Sequence, residues 1–262
     1  MAECVVGVDV GSTTSKAVAI DRDGRVLARA LRPEGIGSTA GEAVLREVIE
    51  GAGAASDEVR YVVATGYGRK IFPACDRQVS ELSCHAKGVA HSVPGVRSLI
   101  DIGGQDAKAM SINEAGTMTA FQMNDKCAAG TGRFLEVMAN VLHIGIEDLE
   151  KDYVAATDPV KISSTCTVFS ESEVISQLAR GAKREDVVAG ICNSVASRFA
   201  ALLSRVGVEP IVCISGGVAR NHGVRAALSR DLGVEIVAPP YAQYMGALGA
   251  ALYANEFAKN KN

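Results

Sequence analysis

Three glycine-containing segments carry residue types that bind phosphate and a divalent cation. The glycines follow apolar runs at residues 11, 103–104 and 216–217. Glycine lets backbone amides approach an anion closely, and the hydroxyls at 12–14 would add donors in the first segment. Asp9 and Asp101, each two residues before a glycine, suit Mg²⁺ bound through water. These turns therefore predict a nucleotide site, although tight hairpins alone could also account for the glycines.

The first two segments belong to an internal repeat. VVGVDVGSTTSKAVAIDRDGRV at 5–26 resembles RSLIDIGGQDAKAMSINEAGTM at 97–118. An offset of 92 residues matches Asp9 with Asp101, and the same offset matches Gly11 with Gly103, Lys16 with Lys108, and Gly24 with Gly116. In each copy a strand, a polar turn and a returning strand are expected. The repeat predicts two similar domains, 1–94 and 95–240, with a helix over 241–262 packing back on the first domain.

The elements around these turns alternate between strands and helices. Strands are predicted at 4–10, 61–65, 97–102, 117–123, 160–164, 211–215 and 234–237, and helices at 39–51, 79–92, 128–142, 171–180, 185–206, 222–231 and 242–258. This alternation predicts an α/β fold with buried sheets. Neither a Walker A motif nor a G-x-G-x-x-G after the first strand is present, so P-loop and Rossmann folds lack support.

The turn sequences DVGSTTSK, DIGGQD and ISGGVARN resemble the phosphate-1, phosphate-2 and adenosine motifs of the acetate kinase, sugar kinase, Hsp70 and actin superfamily. The resemblance implies two duplicated ribonuclease H-like (actin-like ATPase) domains with ATP and Mg²⁺ in the cleft between them. It implies that Asp9 organises Mg²⁺ and that Gln105 or Asp106 orients the attacking water. The implied nucleotide contacts are Gly11, Ser12, Thr13, Thr14, Ser15, Lys16, Asp101, Gly103, Gly104, Gly216 and Gly217.

Seven cysteines form no C-x-x-C pair, so zinc ribbons and ferredoxin-type cluster motifs are absent. Cys4, Cys192 and Cys213 lie in predicted elements and are expected to be small buried residues. Cys127 and Cys166 instead lie in polar turns before predicted helices, where backbone amides favour a thiolate. Two thiolates cannot complete a four-thiolate site, but a two-fold dimer could. Spacing alone leaves buried or turn-lining cysteines as the alternative.

A second resemblance spans nearly the whole chain. TGYGR at 65–69, SELSCHA at 80–86, FQMNDKCAAGTGRFLEVMA at 121–139, SSTCTVFSESEVISQL at 163–178 and YAQYMGALGAALYA at 241–254 resemble the activators (component A) of (R)-2-hydroxyacyl-CoA dehydratases. This family implies a homodimer with one bridging [4Fe-4S] cluster, held by Cys127 and Cys166 of each subunit. It also implies an electron donor (ferredoxin or flavodoxin), a dehydratase acceptor (component D) and a nucleotide contact at Gln243.

The composition excludes several other classes of protein. Lys and Arg number 27 against 30 Asp and Glu, so no basic field favours nucleic acid or an anionic membrane. No run of about 18 apolar residues occurs, and the N-terminus becomes polar too early for a signal peptide. We expect a cytoplasmic protein without a disulfide framework.

The sequence leaves other classes of protein open as alternatives. A small-molecule kinase would share the ATP fold and recruit Asp101 or Asp106, but it would leave the cysteine motifs unexplained. An ATP-switched module like an Hsp70 nucleotide domain would predict neither iron nor a redox partner. Within the redox class, the ATPase subunit of benzoyl-CoA reductase or of another double-cluster reductase is the nearest alternative, because the partner recognises the acyl-CoA.

Overall fold

A computed structural model describes residues 3–124, 128–163 and 166–260. The chain divides into two compact units. The first comprises Met1–Gly95, Ile112–Met118 and Gln243–Asn262, and the second comprises Val96–Ser111 and Thr119–Ala242. Each contains one five-stranded sheet, which confirms the predicted α/β class.

The sheet of the first unit is built from β1 (Cys4–Val10), β2 (Ser15–Ile20), β3 (Val26–Arg32), β4 (Val59–Thr65) and β5 (Arg77–Gln78). The strand order is β3-β2-β1-β4-β5. β1 pairs with β2 antiparallel and with β4 parallel. Every residue of β1 is buried, because the sheet is covered on both faces.

Two helices cover this sheet, α1 (Ala40–Gly51) and α8 (Met245–Lys259), and α2 (Glu81–Ser92) packs against α8. Val44 and Val48 of α1 join an apolar cluster with the even-numbered valines of β1. On the other face, a β-carbon at Gly7 of β1 would overlap the backbone of Ala247 in α8. The small residues of α8 thus permit the close packing that its sequence predicts.

The second sheet has the order β10-β9-β6-β7-β8. Its strands are β6 (Ser98–Ile102), β7 (Ala107–Ile112), β8 (Met118–Asn124), β9 (Val212–Gly216) and β10 (Ile236–Val237). The central strand β6 again has an antiparallel neighbour, β7, and a parallel neighbour, β9. The two sheets therefore repeat one topology.

The helices of the second unit are α3 (Gly132–Val141), α4 (Leu149–Ala155), α5 (Thr167–Ala179), α6 (Arg184–Ser204) and α7 (His222–Leu232). Among the described residues, α6 is the one helix long and apolar enough to cross a membrane. Its residues Val187, Ile191, Val195 and Phe199 lie in the main core cluster, so burial in the core accounts for its composition.

The repeat seen in the sequence recurs in strand register. Asp9 pairs with Lys16 across β1 and β2, and Asp101 pairs with Lys108 across β6 and β7. The next turns also match. The Asp21 carboxylate accepts hydrogen bonds from backbone N–H groups two and four residues on, and the Asn113 side chain does the same.

Two predicted elements differ from the structure. Residues 160–163 are not a strand, because the N–H of Val160 donates to the Asp186 carbonyl and that of Ser163 to the Glu173 carboxylate. The helix predicted from residue 128 begins at Gly132, since a turn closed by Thr131 precedes it. Strands β3 and β5 and helix α4 were not among the predicted elements.

Candidate functional site

The turn after β1 presents unpaired backbone amides. The N–H of Gly11 donates to the Thr14 carbonyl at 3.0 Å and closes the turn. Among the described residues, no hydrogen bond uses the amides of Ser12, Thr13 and Thr14. These residues are half-buried, so their N–H groups suit a bound anion such as phosphate.

The turn after β6 repeats this arrangement. The N–H of Gly103 donates to the Asp106 carbonyl at 2.9 Å. Within the described chain, the amides of Gly104, Gln105 and Asp106 likewise have no hydrogen-bond partner. Gln105 is exposed and Asp106 is half-buried, so both predicted water-orienting side chains lie at an accessible turn.

Asp9 is a buried carboxylate at the end of β1, 3% exposed. The Lys16 ammonium lies 3.4 Å from its Oδ2. Two glycines leave room for this carboxylate: a β-carbon at Gly66 would overlap Oδ1, and one at Gly246 would lie 3.0 Å from Oδ2 and 2.7 Å from Nε2 of His85. Asp9 is therefore fixed by its surroundings and has the carboxylate chemistry for a hydrated Mg²⁺.

Asp101 has different partners in the second unit. The Ser215 hydroxyl donates to its Oδ1 at 2.6 Å, and the Lys108 ammonium lies 3.6 Å from its Oδ2. The same ammonium lies 3.0 Å from Oδ2 of Asp106. A fully buried lysine therefore bridges two carboxylates here, whereas the half-buried Lys16 contacts one.

Ser15 lies apart from the turn hydroxyls. Its side chain is fully buried, and its Oγ has no hydrogen-bond partner among the described residues. By strand alternation it shares the sheet face of Ala17, which packs in the α1 cluster, and Lys16 projects from the opposite face. The predicted nucleotide contact at Ser15 is thus placed on the side of the sheet away from Asp9.

The third glycine segment ends β9. Gly216 has a φ of 85° and pairs with Ile102, and a β-carbon here would overlap the Ile102 carbonyl. Strand packing alone thus requires glycine at 216. Gly217 is exposed and begins a short 3₁₀ turn, so its backbone is accessible to a ligand. Gln243 is half-buried in another 3₁₀ turn, Ala242–Tyr244, just before α8.

The segment TGYGR at 65–69 enters the sequence analysis only through a family resemblance, and the structure places its turn, Thr65–Gly68, at the end of β4 beside Asp9. Thr65 pairs with Asp9 as Ser215 pairs with Asp101. Gly66 has a φ of 86°, close to that of Gly216. A Thr/Ser-Gly pair ending an apolar run was the available signal, but its partner strand cannot be identified without the sheet order.

The cysteines separate by burial. Cys4, Cys84, Cys192 and Cys213 are buried. The expectation of burial for Cys4, Cys192 and Cys213 is thus confirmed. Burial raises the pKa of the Cys84, Cys192 and Cys213 thiols to about 12, which keeps them protonated and unreactive.

Cys166 is an exposed free thiol at the N-cap of α5. An accessible thiol at a helix N-terminus fits the chemistry of a cluster ligand, which binds as thiolate. Cys127 lies outside the described residues. The helix that follows it begins at Gly132, and the N–H groups of Gly132 and Arg133 donate to the carbonyls of Gly103 and Gly104. The helix that follows Cys127 in the sequence thus begins five residues after this cysteine.

Two duplicated α/β units, each with a glycine turn beside a buried aspartate that pairs with a lysine, define an ATPase of the actin-like fold. Residues 6–254 match the BadF/BadG/BcrA/BcrD ATPase family, and the chain belongs to it.

Three relatives align with most of this chain. The (R)-2-hydroxyglutaryl-CoA dehydratase activating ATPase of Acidaminococcus fermentans is 52% identical over 95% of this chain and 96% of its own length. The solved activator of the 2-hydroxyisocaproyl-CoA dehydratase from Clostridium difficile, with bound ADPNP, superposes with a TM-score of 0.95 at 47% identity, covering 98% of this chain and 96% of that one. A benzoyl-CoA reductase subunit of Thauera aromatica is 32% identical over 79% of this chain and 75% of its own length.

Proposed function

We propose that the protein is a 2-hydroxyacyl-CoA dehydratase activator, an ATPase that donates one electron to its dehydratase partner. The observation that carries the nucleotide part is the pair of repeated turns, each with three amides unpaired among the described residues next to a buried carboxylate. Three N–H groups per turn match the acceptor oxygens of a phosphate chain. The identities of 52% and 47% to two activators support the partner class.

Mg-ATP is proposed to bind at the glycine turns of the domains 1–94 and 95–240. Asp9 would organise Mg²⁺, and the amides of residues 12–14 and 104–106 would hold phosphate oxygens. Gln105 or Asp106 would orient the attacking water. Gly217 and Gln243 are proposed to contact the nucleoside.

The redox site is proposed to form across a homodimer. Cys166, an exposed thiol, and Cys127 of each subunit would supply the four thiolates of one [4Fe-4S] cluster. When bound, such a cluster supplies one-electron transfer at low potential, fed by reduced ferredoxin or flavodoxin. We place the protein in the cytoplasm, where an exposed thiol stays reduced.

Anaerobic purification tests this proposal directly. Iron, sulfide, subunit number and ATP hydrolysis are measured, together with reduction of a 2-hydroxyacyl-CoA dehydratase. Cys166→Ser and Cys127→Ser should lose the cluster and dehydratase reduction but keep nucleotide affinity. Cys75→Ser is the matched control, because this thiol is outside both cysteine motifs. A colourless monomer with full ATPase activity would contradict the cluster.

The benzoyl-CoA reductase alternative rests on the 32% identity to the Thauera aromatica protein. Supplying each partner protein in turn, with the same reduced donor, decides between dehydratase and reductase. Of the two aspartates that a kinase would recruit, Asp101 is buried and hydrogen-bonded by Ser215, which leaves Asp106. Labelled ATP with candidate metabolites would separate phosphoryl transfer from hydrolysis.

A further inference from the structure

The second unit contains a buried lysine, Lys108, although the sequence repeat gives no sign that it differs from Lys16 in the first unit. Lys16 and Lys108 occupy equivalent positions, each opposite an aspartate. The Lys16 side chain is 15% exposed and the Lys108 side chain 1% exposed. Phosphate at the turn can thus approach Lys16, whereas Lys108 is enclosed by protein.

The difference originates at one position of the turn. Asp106 stands where the first repeat has Thr14, and both residues close their turns through a backbone carbonyl. The added carboxylate contacts the Lys108 ammonium at 3.0 Å. Oδ1 of Asp106 also lies so close to Gly103 that a β-carbon there would be 2.7 Å away. Asp106 is therefore held over the glycine turn from two sides.

The two carboxylates on Lys108 differ in accessibility. Asp101 has a 2% exposed side chain and also accepts the Ser215 hydroxyl. The Asp106 side chain is 22% exposed and lies in the turn whose amides at 104–106 have no partner within the described chain. Since Asp101 is enclosed, Asp106 is the carboxylate of this pair that can meet a water molecule.

We propose that Lys108 is a positioning residue for ATP hydrolysis, which fixes the Asp106 carboxylate over the Gly103–Gly104 turn instead of binding phosphate. The inference rests on the proposed ATPase site and adds the residue that orients its water-facing carboxylate. A misplacement of about 1 Å in such a group can cost about 100-fold in rate. Lys108 therefore acts on turnover through Asp106, whereas Lys16 acts on nucleotide binding.

Steady-state ATPase kinetics of Lys108→Met, Asp106→Asn and the double variant test this role. Lys108→Met should lower kcat about 100-fold with KM changed less than about threefold. In the Asp106→Asn background the same substitution should have little further effect, because the two residues act as one unit. Lys16→Met should instead raise KM. Lys87→Met, which removes a surface lysine paired with Glu256, is the control for a lost lysine.

Two outcomes would overturn the proposal. They are a raised KM with unchanged kcat in Lys108→Met, or an equal loss of kcat from Lys108→Met with and without Asp106→Asn. Circular dichroism checks folding. If Lys108→Met does not fold, the kcat of the double variant is compared with that of Asp106→Asn instead. The double variant loses the Lys108 ammonium and the Asp106 carboxylate together, so it leaves neither of these two charges without the other. Failure of the wild-type chain to bind or hydrolyse ATP would instead contradict the proposed function.

Discussion

The backbone N–H of Gly132, the first residue of α3, donates a hydrogen bond to the carbonyl of Gly103 at 3.0 Å. Arg133 donates in the same way to Gly104 at 2.9 Å. In the first unit, the N–H of Ile36 donates to the Gly11 carbonyl at 2.9 Å. The first glycine turn is thus bonded to the connection between β3 and α1, and the second to the start of α3, which follows Cys127 by five residues in the sequence.

Thr131 closes the turn that precedes α3, and Thr131→Val tests whether its side-chain hydrogen bond stabilises that turn. The Thr131 hydroxyl and N–H both donate to the Ala128 carbonyl, at 2.6 and 2.9 Å. Losing the hydroxyl bond should lower the free energy of unfolding by about 1 kcal/mol, measured in urea. Thr131→Ser keeps the hydroxyl and should behave as wild type; equal effects of both variants would contradict this role.

Alanine substitutions at two glycines of α8, Gly249 and Gly246, should produce two different defects. An alanine at 249 would overlap the Cys84 carbonyl of α2, which is backbone and cannot move aside. Gly249→Ala should therefore destabilise the protein by about 1–3 kcal/mol, although alanine favours helix.

Gly246→Ala instead meets side-chain atoms of Asp9 and His85. The free energy of unfolding of this variant in urea should be close to that of the wild type. Its affinity for Mg-nucleotide should fall, as measured by calorimetry with and without Mg²⁺. The opposite pattern, with Gly246→Ala unfolded and Gly249→Ala weakened in binding, would contradict the packing described for α8.

Thiol reactivity should follow burial. At pH 8 a thiol with a pKa of about 12, as for Cys84, Cys192 and Cys213, has a thiolate fraction of about one in ten thousand. Iodoacetamide should therefore alkylate Cys166 of the iron-free chain well before these three, as read by peptide mass spectrometry. Reconstitution with iron and sulfide should protect Cys166. Persistent alkylation of Cys166 in reconstituted protein would oppose its role as a ligand.

Asp186 should contribute stability that depends on pH. The N–H groups of Asp158 and Thr157 donate to its carboxylate at 2.7 and 2.8 Å, and these bonds, that of Asp158 first, lower the pKa of Asp186. The folded state therefore favours the ionised form, and the contribution is present above about pH 4 and lost as the pH falls further. Asp186→Asn should flatten the fall in unfolding free energy below pH 4. Asp23→Asn, at an exposed position, should leave that slope unchanged.

Much of the fold could be predicted from local pattern. The apolar runs of β1, β6 and β9 and the repeat offset identified the central strands, because buried strands alternate with turns over a short range of sequence. The segment at 160–163 is not a strand, since the N–H of Val160 donates to the backbone of α6 and that of Ser163 to the Glu173 carboxylate. Such partners are distant in sequence and leave no periodic signal.

The sequence by itself determined the chemical content of the site: repeated aspartates, glycine turns, equivalent lysines and two distinctive cysteine motifs. Only the tertiary structure decided what these groups do to one another. Lys16 and Lys108 occupy the same repeat position, yet one stays accessible and the other is enclosed between two carboxylates. Burial and charge pairing depend on every element packed around a residue, and Ser215, more than a hundred residues from Asp101, contributes to that environment. Residue identity and spacing are therefore written in the sequence, whereas accessibility is a property of the packed chain.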